Sequence, residues 1–260
     1  MLTPSSSQQP SHIVTASNEV DDRLQAADSG SLLTLSPAQQ APRIVSLPAD
    51  IDARLLKLDP ALTSNLLLEV MKRGYEARIE ATPASAPTAA GILYWLESVH
   101  SLRTALVERH WSINNNQNCP IIISANKSVA IVVMTGNSDT GKEFGNPTNQ
   151  ADKGAVLGAA VQRNRQYELF ENAAISELQK TECGTQLWVL LYHVENGIKG
   201  IKGIRTELSF PSSFQKKKIV GWSERIILSS ISTISTPLIT PSLLVTPIEV
   251  VVERKTGTSS

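Results

Sequence analysis

The sequence predicts an α+β fold in which N-terminal helices pack on a mainly antiparallel C-terminal sheet. Before residue 118, apolar residues recur at three- and four-residue steps, which is typical of helices. From residue 119 onward they alternate or form short continuous runs, which indicates strands. The last strands follow one another without a helix-length spacer, which favours antiparallel neighbours. We therefore expect a helical segment, 48–118, and an antiparallel sheet segment, 119–260, with one inserted helix, and we expect 48–260 to form one domain.

Residues 1–47 are predicted to form a disordered arm. Ser, Gln, Pro and Asp dominate this stretch, and few of its apolar residues cluster. Such a composition buries too little apolar surface to offset the entropy that is lost on ordering.

The first packed helix is predicted in LDPALTSNLLLEVMKRGYEARIEA, with Asp59 as its N-cap and Pro60 at its first helical position. Its core-facing side is expected to carry five apolar residues: Leu62, Leu66, Leu67, Val70 and Met71. Gly74 is expected to end this helix or to weaken its last turn.

The second predicted helix, AAGILYWLESVHSLRTALVERHW, has the strongest periodicity in the chain. Its apolar stripe is expected to face the core and consists of Ile92, Trp95, Leu96, Val99, Leu102 and Leu106. The helix inserted among the strands is predicted within KGAVLGAAVQRNRQYELFENAAISELQ.

The predicted strands begin with a hairpin, PIIIS and SVAIVVMTG joined by ANK. A meander of QLWVLLYHVEN, IRTELSFP and KIVGWSERIIL should follow, and PIEVVVER could add a last strand.

A loop at 136–154 resembles a phosphate-binding loop in spacing alone. Gly136, Gly141 and Lys142 match the glycines and the lysine of such a loop. Glu143 replaces the required hydroxyl residue, and Pro147 stands where a helix should run. The preceding strand is expected in a hairpin rather than in a parallel βαβ unit. A phosphoester- or nucleotide-processing enzyme that uses this loop is therefore the alternative hypothesis, not the leading one.

Charge suggests a binding surface on the sheet. Lys plus Arg equals Asp plus Glu at 24 each, which disfavours a general polyanion binder. From residue 186 onward, however, nine basic residues face five acidic ones, a surplus of four. The surface predicted to bind nucleic acid or an acidic partner comprises Lys199, Lys202, Arg205, Lys216, Lys217, Lys218 and Trp222. The lysines could instead protect strand edges.

The sequence predicts no catalytic residue, no metal site and no cofactor. His100 and His110 are ten residues apart, and His193 is expected to be a packed or edge residue of a strand. Cys119 and Cys183 are isolated and fit reduced thiols, with a disulfide between them left open. The N-terminal residues do not resemble a secretory leader, and no apolar stretch is long enough to cross a bilayer. The leading hypothesis is a non-catalytic cytoplasmic interaction protein, not bound to membranes, that docks onto another protein or a larger assembly, with nucleic acid as one candidate component.

Overall fold

The computed structural model describes residues 41–115, 118–172, 184–197 and 200–232. These residues form four helices and an eight-stranded mixed sheet, so the α+β prediction is correct at the level of class. The elements follow the chain in the order β1 (Arg43–Val45), α1 (Pro48–Leu58), α2 (Ser64–Ile79), α3 (Ala89–Val107), β2 (Ser112–Asn114), β3 (Ile121–Ile123), β4 (Val129–Thr135), α4 (Ala155–Asn172), β5 (Gln186–Gly197), β6 (Gly200–Gln215), β7 (Lys218–Ile227) and β8 (Ile231–Ser232).

The sheet is mixed, which corrects the expectation of a mainly antiparallel one. Its strand order is β1-β7-β6-β5-β4-β3-β2, and β8 pairs with β6. β4 runs parallel to β5 and β1 runs parallel to β7, whereas the other neighbours are antiparallel. The parallel β4–β5 pair is possible because α4 provides the long crossover that parallel neighbours require.

Helices cover both faces of the sheet. One apolar cluster joins α1, α2 and α3 to one face, and a second joins α4 to the other. Along β4, residues 129, 131 and 133 belong to the first cluster, and residues 130, 132 and 134 belong to the second. A strand that is buried on both faces accounts for the continuous apolar run of this segment.

The start of the first predicted helix was placed wrongly. A helix already spans 48–58, and Asp59 follows its end. The Asp59 Oδ1 atom accepts hydrogen bonds from the Ala61 amide (2.8 Å) and from the Trp111 indole (3.3 Å). The next helix begins at Ser64, where the Thr63 hydroxyl oxygen accepts a hydrogen bond from the Leu66 amide. Thr63 therefore has the N-capping role that was predicted for Asp59.

The buried side of α3 is rotated relative to the predicted stripe. Leu102 and Leu106 are buried as expected, but Ile92 and Leu96 are about half exposed, at 51% and 50%. The interior side instead includes Tyr94 and Ser98, because α3 packs closely against α2. At the closest approach, a Cβ atom on Gly74 would lie 2.2 Å from the Ser98 hydroxyl oxygen. Gly74 thus lies inside α2 and permits the two helices to meet.

The predicted hairpin and meander are confirmed as antiparallel pairs β3–β4, β5–β6 and β6–β7. Residues 43–45, which were assigned to the arm, form a strand beside β7. Residues 1–40, Cys183, Lys199 and the PIEVVVER segment lie outside the described residues. Within the described ranges, no helix has the length and apolar character needed to cross a membrane.

Candidate functional site

The loop 136–154 leaves the C-terminal end of β4 and leads into α4, within the βαβ crossover. This corrects the expectation that the preceding strand belongs to a hairpin alone, because β4 pairs with β3 on one side and runs parallel to β5 on the other. The position suits ligand binding, since ligands of such sheets bind beyond the carboxyl ends of parallel strands.

The glycine amides of the loop already have partners within the chain. The Gly136 amide donates to the Tyr192 carbonyl (2.8 Å), and the Gly141 amide donates to Glu207 Oε2 (2.9 Å). The Lys142 amine lies 3.8 Å from the Asp139 carboxylate at the surface. The first half of the loop therefore does not present these two amides to a phosphate.

A buried ion pair holds this first half of the loop on the sheet. The side chains of Arg225 and Glu207 are 1% and 0% exposed, and their charged groups are hydrogen-bonded. The guanidinium of Arg225 also donates to the Lys142 carbonyl (2.8 Å) and the Gly145 carbonyl (3.3 Å). Placing two charges in the interior is tolerated only when further hydrogen bonds compensate their lost hydration, which these carbonyls provide.

The second half of the loop is attached to the β6–β7 hairpin. The Trp222 indole donates to the Pro147 carbonyl (2.7 Å), and the Lys218 amine donates to the Gln150 carbonyl (2.6 Å). The buried Asn149 side chain donates to the Lys217 carbonyl (3.1 Å) and accepts from the Ile219 amide (2.8 Å). Long polar loops are uncommon inside compact domains, and this one is ordered by side chains of the neighbouring strands.

The described residues of the predicted basic surface do not all lie together. Lys202 is near the start of β6, whereas Lys216 and Lys217 form the turn that follows its end. Arg205 pairs with Glu195 (2.9 Å) and donates to the Thr140 carbonyl (2.9 Å). Together with Lys218 and Trp222, it thus contacts the chain itself. Lys202, Lys216 and Lys217 are exposed, although Lys202 lies 3.6 Å from the Glu195 carboxylate and Lys217 lies 4.0 Å from the Asp152 carboxylate.

A cleft of about 670 Å³ opens at the C-terminal ends of β4 and β5. Its walls are the end of α2, the first turns of α3, the end of β4, the second half of the 136–154 loop, and β5 residues 192–194 and 196. Gly136, Gly141 and Lys142 are not among its lining residues, whereas Gln150, Ala151 and Lys153 are.

Basic side chains are the main charged groups of this cleft. Arg78, Lys153 and His193 line it, and none of its described lining residues carries a carboxylate. Within the described part of the chain, neither Arg78 nor Lys153 has an ion-pair partner. Burial lowers the pKa of the Lys153 amine, an effect that Lys218 reinforces and Cys119 opposes. The cleft therefore combines positive charge with incomplete hydration.

His193 has a defined orientation at the cleft. Its Nδ1 atom lies 3.2 Å from the Gly136 carbonyl oxygen. Because a carbonyl oxygen can only accept, Nδ1 carries the hydrogen in this contact, and in the neutral ring Nε2 is then the acceptor.

Two tyrosines form a rigid aromatic wall of the cleft. The rings of Tyr94 and Tyr192 stack with centroids 4.1 Å apart. The Tyr94 hydroxyl donates to the Met71 carbonyl (2.9 Å), and the Tyr192 hydroxyl accepts from Thr135 (2.9 Å). Burial raises the pKa of Tyr192 to about 12, so this phenol is neutral at physiological pH.

The cleft was missed at the sequence level because its charged groups come from α2, the 136–154 loop and β5, without a shared motif. The available signal was the order strand, loop, helix, strand, which places 136–154 at the carboxyl edge of a parallel pair.

Comparison of the chain with protein-family models, curated proteins and solved structures gave no match. Among the described residues, no group of three or more His, Cys, Asp or Glu side chains could hold a metal ion.

Proposed function

We propose that this protein binds a small anionic ligand, with a phosphate or carboxylate group, in the cleft at the C-terminal ends of β4 and β5. The observation that carries the proposal is the convergence of Arg78, Lys153 and His193 in one cleft whose described lining contains no carboxylate.

The partial removal of Arg78 and Lys153 from water supports the proposal. A cation that is removed from water without a counter-charge destabilises the fold, so buried cations are normally paired. Arg78 and Lys153 are both partly buried and lack an ion-pair partner within the described ranges. A bound anion would supply the missing charge, and a guanidinium can hold a phosphate or carboxylate through two parallel hydrogen bonds.

Size and surroundings agree with a small organic anion. A cleft of about 670 Å³ is within the usual range for sites of small molecules. The first turn of α3 adds the positive end of a helix dipole. Trp95, Ile92 and Val194 give the cleft an apolar side that could contact the organic part of such a ligand.

This proposal shares its ligand class with the sequence-based enzyme hypothesis but rests on other residues. The sequence-based docking hypothesis stays a prediction, and the positions of its exposed lysines define the test that is given in the Discussion.

The proposal is tested by thermal unfolding of the full chain in sodium phosphate and in sodium chloride of equal ionic strength. Phosphate at about a hundred times its dissociation constant should stabilise the protein by about 2.7 kcal/mol, which raises Tm by roughly 5–10 °C. Arg78→Gln should abolish this shift.

Arg73→Gln is the matched control, because Arg73 lies on the same helix but is exposed and pairs with Glu69 at 3.4 Å. This variant should keep the phosphate shift. Absence of a shift in the wild-type protein, or equal shifts in the two variants, would refute anion binding in the cleft.

A further inference from the structure

We propose that Lys153 forms an imine with an anionic aldehyde or ketone that is bound in the cleft. The inference rests on the proposed function and adds a reacting residue and a ligand class to it.

The contacts around Lys153 distinguish it from its neighbours. Its backbone amide donates to the Lys217 carbonyl (3.1 Å), which fixes the main chain just before α4. Asp152 is adjacent in sequence, yet its carboxylate lies 3.2 Å from the Lys218 amine and 4.0 Å from the Lys217 amine. Lys153 instead lines the cleft, and its side chain makes no hydrogen bond or ion pair with any described residue.

The surroundings favour the reactive form of the amine. A lysine is nucleophilic only when neutral, and enzymes that use imine-forming lysines desolvate the amine or place it near another cation. Burial lowers the pKa of Lys153 and is the largest effect; the nearby Lys218 lowers it further, and Cys119 opposes both. Exposed lysines such as Lys142 and Lys217 lie in water beside carboxylates.

The reaction is a condensation without an oxidant or reductant. The neutral Nζ atom attacks the carbonyl carbon, a C–N bond forms, and one hydrogen of the nitrogen moves to the carbonyl oxygen to give a carbinolamine. The hydroxyl group then leaves as water together with the second hydrogen of the nitrogen, and a C=N bond remains. His193 lines the same cleft, and its Nε2 atom is the ring nitrogen that can carry a proton between these positions.

Arg78 explains why the carbonyl compound should be an anion. Its guanidinium can hold a carboxylate or phosphate while Lys153 reaches the carbonyl carbon in the same cleft. Holding the two reactants together raises their effective concentration, so that an anionic carbonyl compound should react faster than a neutral one of similar size.

The test treats the full chain with pyruvate, glyceraldehyde 3-phosphate or neutral propanal, reduces any imine with sodium borohydride, and maps the modified lysines by peptide mass spectrometry. Pyruvate and glyceraldehyde 3-phosphate distinguish a carboxylate from a phosphate ligand. We expect at least one of them to modify Lys153 clearly more than Lys142 and Lys217, because the lowered pKa of Lys153 increases the neutral fraction of its amine and Arg78 can hold the anion in the same cleft. Arg78→Gln should reduce this selectivity for the anions, whereas Arg73→Gln, the exposed control on the same helix, should keep it.

The outcomes separate this inference from the proposed function. A phosphate-dependent rise in Tm of the wild-type protein, with equal labelling of Lys153 and the exposed lysines, would overturn the imine and leave anion binding in place. Absence of both the Tm shift and selective labelling would overturn both. Selective labelling of Lys153 by propanal alone would contradict the anionic ligand class.

Discussion

At the scale of single residues, Arg225 is expected to contribute strongly to stability. Arg225→Ala would leave the Glu207 carboxylate buried without its counter-charge and would release the carbonyls of Lys142 and Gly145. Removing one partner of a buried pair typically costs about 3–5 kcal/mol. Urea unfolding of the variant should show a loss of this size.

The control for this change is Arg73→Ala, which removes an exposed pair with Glu69 on α2. Exposed pairs at this helical spacing contribute only about 0.3–0.5 kcal/mol. Similar losses for the two variants would mean that the Arg225–Glu207 pair does not hold the loop.

Lys153→Met should stabilise the protein at neutral pH. Burial lowers the pKa of Lys153 in the folded state, so the unfolded chain binds more protons between that lowered pKa and the ordinary value of 10.5. The destabilisation by the charged amine is therefore complete below the folded pKa and disappears as the pH rises through that pKa and past 10.5. Urea unfolding at several pH values should give a gain of about 0.5–2 kcal/mol at pH 7.

This gain should shrink as the pH approaches 10.5 and vanish well above it, where the wild-type amine is neutral in both states. Lys142→Met is the exposed control and should change stability by no more than about 0.5 kcal/mol at each pH. A gain for Lys153→Met that is independent of pH would show that burial of the charge is not its cause.

The chemical character of single residues could be predicted from the sequence, but their partners could not. Arg205 and Trp222 were expected to belong to a surface that binds nucleic acid or an acidic partner, and in the folded chain both donate to backbone carbonyls of the 136–154 loop. Only the alternative hypothesis placed Gly141 beside a phosphate, and in the structure its amide donates to the Glu207 carboxylate. A donor's preference for anionic or carbonyl oxygen is a local property, whereas the identity of that oxygen depends on contacts more than sixty residues away.

At the scale of elements, α3 offers a comparison between two leucines on one helix. Leu102 is 1% exposed and Leu96 is 50% exposed. Leu102→Ala should cost about 2–5 kcal/mol, because it leaves a cavity in the cluster that joins α3 to the sheet. Leu96→Ala should cost a few tenths of a kcal/mol. Urea unfolding of both variants checks the orientation of the helix, and equal losses would mean that the predicted apolar stripe, including Leu96, is buried.

Local patterns predicted most of the described elements but not all of their neighbours. The strands β3, β4 and β5 were predicted from the spacing of their apolar residues and from the turn after β3, which are properties of nearby residues. These strands are confirmed. The parallel β4–β5 pair depends on α4 acting as a crossover, which periodicity does not reveal. β1 has only three residues and owes its strand conformation to β7, about 180 residues later in the chain.

At the scale of the whole molecule, the topology assembles one candidate surface and divides another. The parallel crossover brings Arg78, Lys153 and His193 into one cleft although 115 residues separate the first from the last. The same sheet separates Lys202 from Lys216 by most of β6. Fourteen residues of extended strand correspond to roughly 45 Å. Lys202 and Lys216 are thus near in the sequence but far apart on the sheet. Arg78, Lys153 and His193 are far apart in the sequence but line one cleft.

This separation makes the nucleic-acid hypothesis testable by ligand length. A duplex of about 8 base pairs is roughly 27 Å long and can meet the lysines at one end of β6, whereas about 20 base pairs, roughly 68 Å, can reach both ends. If these lysines bind phosphates, the duplexes should bind at about 50 mM salt, and their affinity should fall as salt is added. Replacing both Lys216 and Lys217 by Ser should then flatten the slope of log affinity against log salt concentration by about 1.8 on either duplex. Lys202→Ser should then flatten the slope, by about 0.9, on the long duplex alone if Lys216 and Lys217 bind the short one.

Fluorescence anisotropy measures both slopes, with Lys142→Ser as an exposed control. Absence of binding to both duplexes at the lowest salt would leave edge protection as the role of these lysines, because electrostatic affinity is greatest there.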